Sequence, residues 1–331
     1  MTTHAGVPVW VGEAYRMKRA FVFPGQGSQA VGMGRGLADA FQAARDLFEE
    51  VDETLSQPLS RLMFEGPESD LTLTENAQPA LLAASLAVIR VLESEGGLRF
   101  GRHLAFVAGH SLGEYSALAA AGAVTVADAV RLVKLRGRTM QRAVPVGTGA
   151  MAALLGLDVE TARAVAFEAR RGDPDEVCAV ANDNAPGQVV ISGHRQAIER
   201  AIAITRERGA RSVILPVSAP FHSFLMSPAA KVMKKALDET ELHPPLVPLV
   251  ANLSASAISD PAEIKRQLVG QVTAIVRWRE SVHYLRASGV EEVAEIGAGR
   301  VLTGLSRRID PALTACSVGT AAEVEALMKV L

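Results

Sequence analysis

The sequence predicts an α/β fold, and three observations lead to this prediction. Apolar strand segments alternate with helical segments over most of the 331 residues, which favours a mostly parallel sheet covered by helices on both faces. One strand leads through a glycine-flanked serine directly into an Ala-rich helix, within residues 104–122. A separate β-α-β-β-α-β pattern occupies residues 150–217. Together these observations predict a large domain with a smaller domain inserted into it.

The chain before the glycine-flanked serine is predicted to be one strand followed by helices. Residues 20–23 form the strand, and residues 37–64 have the pattern of a single amphipathic helix. Thr72 and Glu75 have the spacing of a capping box, and Pro79 suits a first helical position. A long Leu-, Ala- and Val-rich helix is expected to follow and to be buried against the sheet.

The stretch LAFVAGHSLGEYSALAAAG at 104–122 is predicted to be a strand, a sharp turn and a helix. Gly109 and Gly113 flank Ser111 because such a turn is too tight for Cβ atoms. The turn lifts Ser111 clear of the sheet edge, and the helix amides point to the place where an oxyanion would form. This context favours a nucleophilic serine over a loop without chemistry.

The helix after this turn is expected to begin at a Thr125-x-x-Asp128 cap. Its apolar residues fall at alternating spacings of four and three, which forms one stripe. Arg136 is three residues from Val133 and four from Leu132, so it borders the apolar stripe and does not lie on the opposite, solvated face.

The β-α-β-β-α-β order of the inserted segment is typical of a ferredoxin-like domain. We place this small domain at 148–217 and the large domain at 17–147 and 218–331, with residues 1–16 expected to be a disordered extension. The second part of the large domain is predicted to contain these further elements: a strand at 246–251, helices at 261–271 and 278–288, a strand at 290–296 and a helix at 301–309.

Composition and charge exclude several classes of protein. Hydrophobic residues make up 49% and charged residues 21% of the chain, as in ordinary globular α/β proteins. The net charge of −2 lacks the basic excess of a nucleic-acid binder. No apolar run approaches the roughly 20 residues of a membrane span, and the N-terminus lacks the pattern of a signal peptide. We therefore expect a cytoplasmic protein that binds neither nucleic acid nor membrane.

The sequence also gives no indication of a metal or a cofactor. Cys178 and Cys316 are the only cysteines, too few for a disulfide framework and without the CxxC spacing of metal ligands, which favours a reducing compartment. The glycine-rich segment 32–36 fails the G-x-G-x-x-G spacing of a dinucleotide site, and no P-loop motif occurs.

A serine nucleophile needs a neighbouring base, because its hydroxyl pKa is far too high for it to react unaided. Among seven histidines, His222 stands out because it follows the apolar loop Ala219-Pro220-Phe221, where the chain re-enters the large domain. A structural histidine packed in that loop explains the same residues equally well.

Seven motifs, in order along the chain, carry a family resemblance: FVFPGQGSQ at 21–29, QPALL at 78–82, GHSLGEYSAL at 109–118, RLVKLRG at 131–137, NAPGQVVISG at 184–193, APFHS at 219–223 and VLTGLSRRI at 301–309. Together they resemble the malonyl-CoA:acyl-carrier-protein transacylases of type II fatty-acid synthesis, over roughly residues 17–331. The resemblance implies an α/β-hydrolase-like large domain with an inserted ferredoxin-like domain.

The resemblance also implies roles for particular residues. Ser111 would attack the malonyl thioester and hold the acyl group as an ester. His222 would accept its proton and later activate the carrier-protein thiol. The main-chain carbonyl of Gln271 would orient the imidazole, and the backbone amides of Gln26 and Leu112 would form the oxyanion hole.

Substrate choice and partners follow from the same resemblance. Arg136 would pair with the free carboxylate of malonate, and Phe221 with Leu112 would crowd the α-carbon, as in the malonyl-selecting pattern. The partners would be malonyl-CoA and a small acidic acyl carrier protein, with no cofactor. An acidic partner favours a basic docking patch near the cleft between the domains. Its candidate residues are Arg195, Arg277 and Arg279.

Two departures and two alternatives stand beside this interpretation. The family often has Asn-Pro-Val at 274–276 and a proline at Ala298, where this chain differs. An acyl-CoA thioesterase or other serine hydrolase would need an acid, for which Asp183 or Asp238 are candidates. A non-catalytic acyl-binding protein leaves the nucleophile, base and arginine without a purpose.

Overall fold

The computed structural model describes residues 18–217 and 219–331, so the predicted extension at 1–16 lies outside the described residues. These residues contain ten strands: β1 Lys18–Phe23, β2 Phe106–Gly109, β3 Gly149–Leu155, β4 Cys178–Ala185, β5 Gln188–His194, β6 Arg211–Ile214, β7 Leu249–Ala251, β8 Ser256–Ile258, β9 Val290–Ile296 and β10 Thr314–Val318.

The first helices of the described chain are α1 Arg35–Ala40, α2 Gln42–Leu55, α3 Leu59–Glu65, α4 Glu68–Leu71, α5 Thr74–Ser94, α6 Phe100–His103, α7 Gly113–Ala120 and α8 Val126–Arg142. The later ones are α9 Val159–Ala169, α10 Arg195–Glu207, α11 Ser227–Glu239, α12 Pro261–Gln271, α13 Trp278–Ala287, α14 Val301–Ile309 and α15 Ala321–Met328. A 3₁₀ turn, Phe224–Met226, precedes α11.

The larger sheet has six strands in the order β10-β9-β1-β2-β7-β8, and every pair except β7–β8 is parallel. Side chains of β1 alternate between its two faces. Phe21 and Phe23 pack with α5 and α7, whereas Ala20 and Val22 pack with α13 and α14. The predicted α/β class, with a mostly parallel sheet between two helical layers, is confirmed.

The smaller sheet is antiparallel throughout, in the order β4-β5-β3-β6, with α9 and α10 packed on it. Its two faces differ in what they contact, because strand side chains alternate in direction. Ala152 and Leu154 of β3 pack under the two helices, whereas Met151 and Ala153 join the core of the larger sheet. The face of the smaller sheet that carries Met151 and Ala153 therefore packs against the unit of the larger sheet.

The single helix predicted over 37–64 is wrong, because this segment contains α1, α2 and α3. Phe41 is extended between α1 and α2, with φ −127° and ψ 128°. Ser56 has left-handed backbone angles, and Pro58 follows. Proline removes an N–H donor and disfavours helical angles in the preceding residue, so the helix ends here. The amphipathic spacing of the sequence nevertheless continues past this point.

The capping box predicted at Thr72 is also wrong. The cap of α5 is Leu73, which makes no side-chain capping bond, and the Thr72 hydroxyl donates instead to the Glu68 carbonyl at 3.0 Å. Pro79 is the sixth residue of α5 and not its first. The cap predicted for α8 is confirmed, since Thr125 Oγ1 accepts from the Asp128 amide at 3.1 Å.

Helix α5 is long and apolar enough to cross a membrane by length and composition alone. Most of its residues are buried against α2, α7 and α8, so it is a core helix of this fold. The later elements agree closely with prediction: α12, α14 and β9 have the predicted bounds, α13 ends one residue early, and β7 begins only at Leu249.

Candidate active site

The turn between β2 and α7 is as tight as its glycines predict. A Cβ on Gly109 would lie 1.9 Å from the Gly113 carbonyl carbon, and one on Gly113 would lie 2.2 Å from the Phe23 carbonyl oxygen. Ser111, at the apex, has φ +54°, a left-handed conformation that costs a non-glycine residue about 1–2 kcal/mol. Its amide donates to Asn252 Oδ1 at 2.7 Å, which holds the turn in place.

His222 lies beside the serine. The distance from Ser111 Oγ to His222 Nε2 is 2.7 Å, and His222 Nδ1 is 2.9 Å from the main-chain carbonyl oxygen of Gln271. A carbonyl oxygen only accepts, so Nδ1 carries the hydrogen and the lone pair of Nε2 faces the serine hydroxyl. The structure thus brings together the three residues predicted as nucleophile, base and base-orienting carbonyl.

The imidazole of His222 is almost completely buried. Burial lowers its pKa to about 3, and the positive charge of Arg136 acts in the same direction. The hydrogen bond to Gln271 opposes this shift. The ring is therefore neutral near pH 7 and can accept a proton from Ser111.

Arg136 is buried beside the serine, with 1% of its surface exposed. Its Nη2 donates to Ser111 Oγ at 3.0 Å and to Gln271 Oε1 at 2.9 Å, and its Nη1 donates to Gln78 Oε1 at 3.0 Å. All three acceptors are neutral, so no described carboxylate pairs with this cation directly. A buried cation that has only neutral hydrogen-bond partners favours the binding of a negatively charged ligand.

The two residues predicted to form the oxyanion hole line the same cavity as Ser111. Leu112 begins the turn into α7, and Gln26 lies in the loop after β1. Neither backbone amide donates to another group in residues 18–217 or 219–331. Free amides of this kind can donate to an oxyanion.

A cavity of about 760 Å³ connects these groups to the surface between the two sheets. The larger unit contributes the polar floor with Ser111, Arg136 and His222. The remaining walls come from both units and include Glu68, Ser69, Gln78, Met140, Met151, Asn182, Asn184, Val190, Leu215, Pro216, Val217 and Phe221. Phe221 is largely buried and lines the cavity next to His222.

Two buried polar residues of the site were missed by sequence reasoning, Glu114 and Asn252. Glu114 accepts from the Asn252 amide and from Gln271 Nε2, and Asn252 Nδ2 donates to the Gly109 carbonyl. Burial raises the pKa of Glu114 to about 8, although both hydrogen bonds and Arg136 act to lower it. A single acid within an otherwise apolar, Ala-rich helix was the signal that could have identified Glu114.

Neither acid proposed for a Ser-His-acid triad is near His222. Asp183 is bound by Arg279 at 2.7 Å, and Asp238 pairs with Lys234 on the exposed face of α11. The orienting group of His222 is a carbonyl oxygen, so the arrangement of a typical α/β-hydrolase triad is absent from the described site.

The predicted docking arginines differ in their surroundings. Arg279 is paired with Asp183, and Arg277 is paired with Glu280, so their charges are largely balanced. Arg195 is exposed, and its side chain donates to the Gly147 carbonyl at 2.8 Å. Of the three candidates it alone makes no ion pair in the described part of the chain, and it lines a surface pocket together with Asp173, Asp175 and Glu176.

Comparison with known proteins places this site in a family. The family model described as "Acyl transferase domain" matches residues 20–320. A malonyl CoA-acyl carrier protein transacylase of Bacillus subtilis is 45% identical over 95% of this chain and 97% of its own. The solved acyl-carrier-protein-S-malonyltransferase of Bartonella henselae is 53% identical, with a TM-score of 0.92 over 95% of this chain and 99% of that one.

A further solved structure is a type II PKS acyl-carrier protein in complex with its malonyl-transacylase. The matching chain of that structure is 42% identical to this protein, with a TM-score of 0.90, and the match covers 95% of this chain and 100% of that chain. The family match, these identities and the acyltransferase geometry around Ser111 agree. The chain belongs to the acyl transferase domain family.

Proposed function

We propose that this protein transfers the malonyl group from malonyl-CoA to the phosphopantetheine thiol of an acyl carrier protein, through a malonyl-Ser111 ester. The observation that carries the proposal is a buried guanidinium, Arg136 Nη2, 3.0 Å from the hydroxyl of a Ser-His pair. Such a cation suits an acyl group that ends in a carboxylate. The protein is an acyltransferase that feeds fatty-acid chain elongation, as the related malonyl transacylases indicate.

The first half-reaction forms the ester. Ser111 Oγ attacks the thioester carbonyl while His222 Nε2 accepts the hydroxyl proton, and the backbone amides of Gln26 and Leu112 stabilise the oxyanion. When the tetrahedral intermediate collapses, the C–S bond breaks and the CoA thiolate takes the proton from the imidazolium. The carbonyl of Gln271 stabilises the protonated ring and holds Nδ1 in place.

The second half-reaction reverses these steps with a new thiol. His222 accepts the proton of the phosphopantetheine thiol, the thiolate attacks the Ser111 ester, and Ser111 leaves with the proton that returns from His222. The Ser-His pair supplies the nucleophile of the first half-reaction and the base of both, so we propose that the reaction needs no cofactor or metal.

Intact mass spectrometry after mixing with malonyl-CoA tests this function. A malonyl adduct that disappears when an acyl carrier protein is added, with malonyl-carrier protein as product, is the expected result. Rapid release of free malonate without a carrier protein would instead support a serine hydrolase, and no adduct at all would support a binding protein.

Arg136→Ala is expected to change the choice of acyl donor. An acyl carboxylate in this buried site loses its charge partner, which costs roughly 3–5 kcal/mol, or about 10²- to 10⁴-fold in kcat/KM for malonyl-CoA. Transfer from acetyl-CoA should stay the same or improve, because acetate offers this cation no charge. Arg138→Ala, which removes an exposed arginine of the same helix, is the matched control. If the malonyl-to-acetyl ratio is the same in wild type and Arg136→Ala, Arg136 does not bind the carboxylate.

Transfer to the carrier protein is expected to weaken as salt rises. An acidic carrier protein that docks on basic residues such as Arg195 loses part of this attraction by screening. The KM for carrier protein should therefore increase between low and high ionic strength, while transfer to free pantetheine, which lacks the acidic protein, should change little. Equal salt dependence for both acceptors would argue against a basic docking surface.

We also propose a finer description of the fold. Residues 17–147 and 218–331 form an α/β-hydrolase-like unit, and residues 148–217 form a ferredoxin-like unit. The strand order β4-β5-β3-β6 and a separate hydrophobic cluster beneath α9 and α10 support the second assignment. A cytoplasmic location is proposed on the basis of the two free cysteines.

A further inference from the structure

Glu114 is a buried acid that the proposed mechanism does not use. It lies in the first turn of α7, three residues after Ser111, and only 1% of its surface is exposed. Its Oε1 accepts from the Asn252 amide at 2.5 Å, and its Oε2 accepts from Gln271 Nε2. A carboxylate buried this deeply is costly unless its contacts compensate for the lost water.

The side chain of Gln271 connects this acid to Arg136. Its Nε2 donates to Glu114 and to the Ser111 carbonyl, the latter at 2.9 Å, and its Oε1 accepts from Arg136 Nη2 at 2.9 Å. An amide has one donor end and one acceptor end. Because both carboxyl oxygens of Glu114 accept from N–H groups at one end, the amide oxygen of Gln271 has to face the guanidinium at the other.

We propose that Glu114 is a positioning residue for the loading of a carboxylate-bearing acyl group. Acting through the Gln271 side chain, it holds Arg136 in its orientation beside Ser111. This inference rests on the proposed malonyl transfer. It gives Gln271 two roles: its main-chain carbonyl orients His222, and its side chain connects Glu114 to Arg136.

The interaction between Glu114 and Arg136 couples malonyl loading of Ser111 to the uptake of a proton by Glu114. The charged and titratable groups around Glu114 are Arg136 on α8 and Tyr115 on α7, and the charge of Arg136 in turn acts on His222. When an acyl carboxylate pairs with Arg136, the arginine no longer lowers the pKa of Glu114 as strongly. That pKa then rises above its value of about 8 in the free enzyme. Between the two pKa values, malonyl loading takes up a proton, so loading should weaken as the pH rises above 8.

Glu114→Gln tests the proposal, because it keeps the shape of the side chain and replaces one accepting oxygen with a donating amide. The new side-chain amide presents a donor where Asn252 and Gln271 also donate, so Gln271 loses its fixed orientation. We expect kcat/KM for malonyl-CoA to fall about 10- to 100-fold, mostly through KM, with a much smaller change for acetyl-CoA. The fall in malonyl loading above pH 8 should disappear in this variant.

Glu295→Gln is the matched control. Glu295 is completely buried and accepts from the amides of Leu302 and Thr303 at the start of α14, outside the cavity lining. It should lower the melting temperature without changing the ratio of malonyl to acetyl transfer. If Glu114→Gln also lowers Tm and leaves that ratio and the pH profile unchanged, Glu114 is only structural and the proposal is overturned.

A second variant covers the case in which Glu114→Gln does not fold. Gln271→Leu keeps the main-chain carbonyl that faces His222 and removes the amide between Glu114 and Arg136. It should reduce the malonyl-to-acetyl ratio in the same way, and an unchanged ratio overturns the proposal. The proposed function is tested separately on wild type, because its failure would leave wild type without a malonyl ester, whereas failure of this proposal leaves the wild-type ester and an unchanged malonyl-to-acetyl ratio in the variants.

Discussion

Ser111→Ala is expected to form no malonyl ester and to lose transfer by roughly 10⁶-fold, the scale seen when a serine nucleophile is removed. Ser111 is the residue at the apex of the turn, and its hydroxyl lies 2.7 Å from His222 Nε2. No other described hydroxyl has this contact. Intact mass after incubation with malonyl-CoA, together with the rate of carrier-protein malonylation, measures both losses.

The control for this variant is Ser116→Ala in the same helix. Ser116 is buried and its hydroxyl has no hydrogen-bond partner among the described residues. Its removal should leave adduct formation close to wild type. A Ser111→Ala protein that still became malonylated at a competent rate would show that the nucleophile is elsewhere.

His222→Ala is expected to lower transfer by several orders of magnitude, roughly 10³- to 10⁶-fold. Among the described residues, the other side chain hydrogen-bonded to the Ser111 hydroxyl is Arg136, a cation that cannot accept its proton. The rate of Ser111 acylation in a single turnover is the direct measurement. His283→Ala, on the exposed side of α13, is the control, and activity near wild type in His222→Ala would point to another histidine.

The buried state of His222 also predicts the pH dependence of acylation. A free imidazole with a pKa near 6.5 would become protonated, and so lose its function as a base, as the pH falls from 7 to 5. The pKa of His222 is lowered to about 3, so its base form persists through that range. The acylation rate should therefore show no loss with a midpoint near pH 6.5.

The sequence was sufficient for the parts of the site that are local in the chain. Gly109 and Gly113 predict the turn because their Cβ positions are sterically closed, and the strand before it and helix after it predict where Ser111 points. The alternation of strands and helices predicted the layers of the larger sheet. For Arg136 the apolar spacing indicated only a position at the border of the helix stripe, whereas the side chain is almost completely buried.

Contacts between segments that are distant in the chain could not be predicted from local sequence patterns. His222 and Gln271 approach Ser111 from segments that are far apart in the chain. The loop position of His222 left a base and a structural histidine equally possible, and the family resemblance decided for the base and selected Gln271. Asn252 is a single polar residue after a short strand, and its role depends on a contact with Ser111 that no sequence spacing indicates. The helix over 37–64 failed for a local reason, since the apolar period continues across Pro58 although the helix does not.

The strand order of the larger sheet has a consequence for how the chain is made. Strand β1 lies at the centre, between β2 and β9, yet β1 begins at Lys18 and β9 only at Val290. At ~5–20 residues per second, a ribosome takes roughly 15 to 50 seconds to synthesise the chain between them. For that time one edge of β1 has no native neighbour, while the antiparallel unit of β3–β6 is already synthesised. An unpaired strand edge can pair with other chains, so the nascent chain carries this exposed edge until β9 follows.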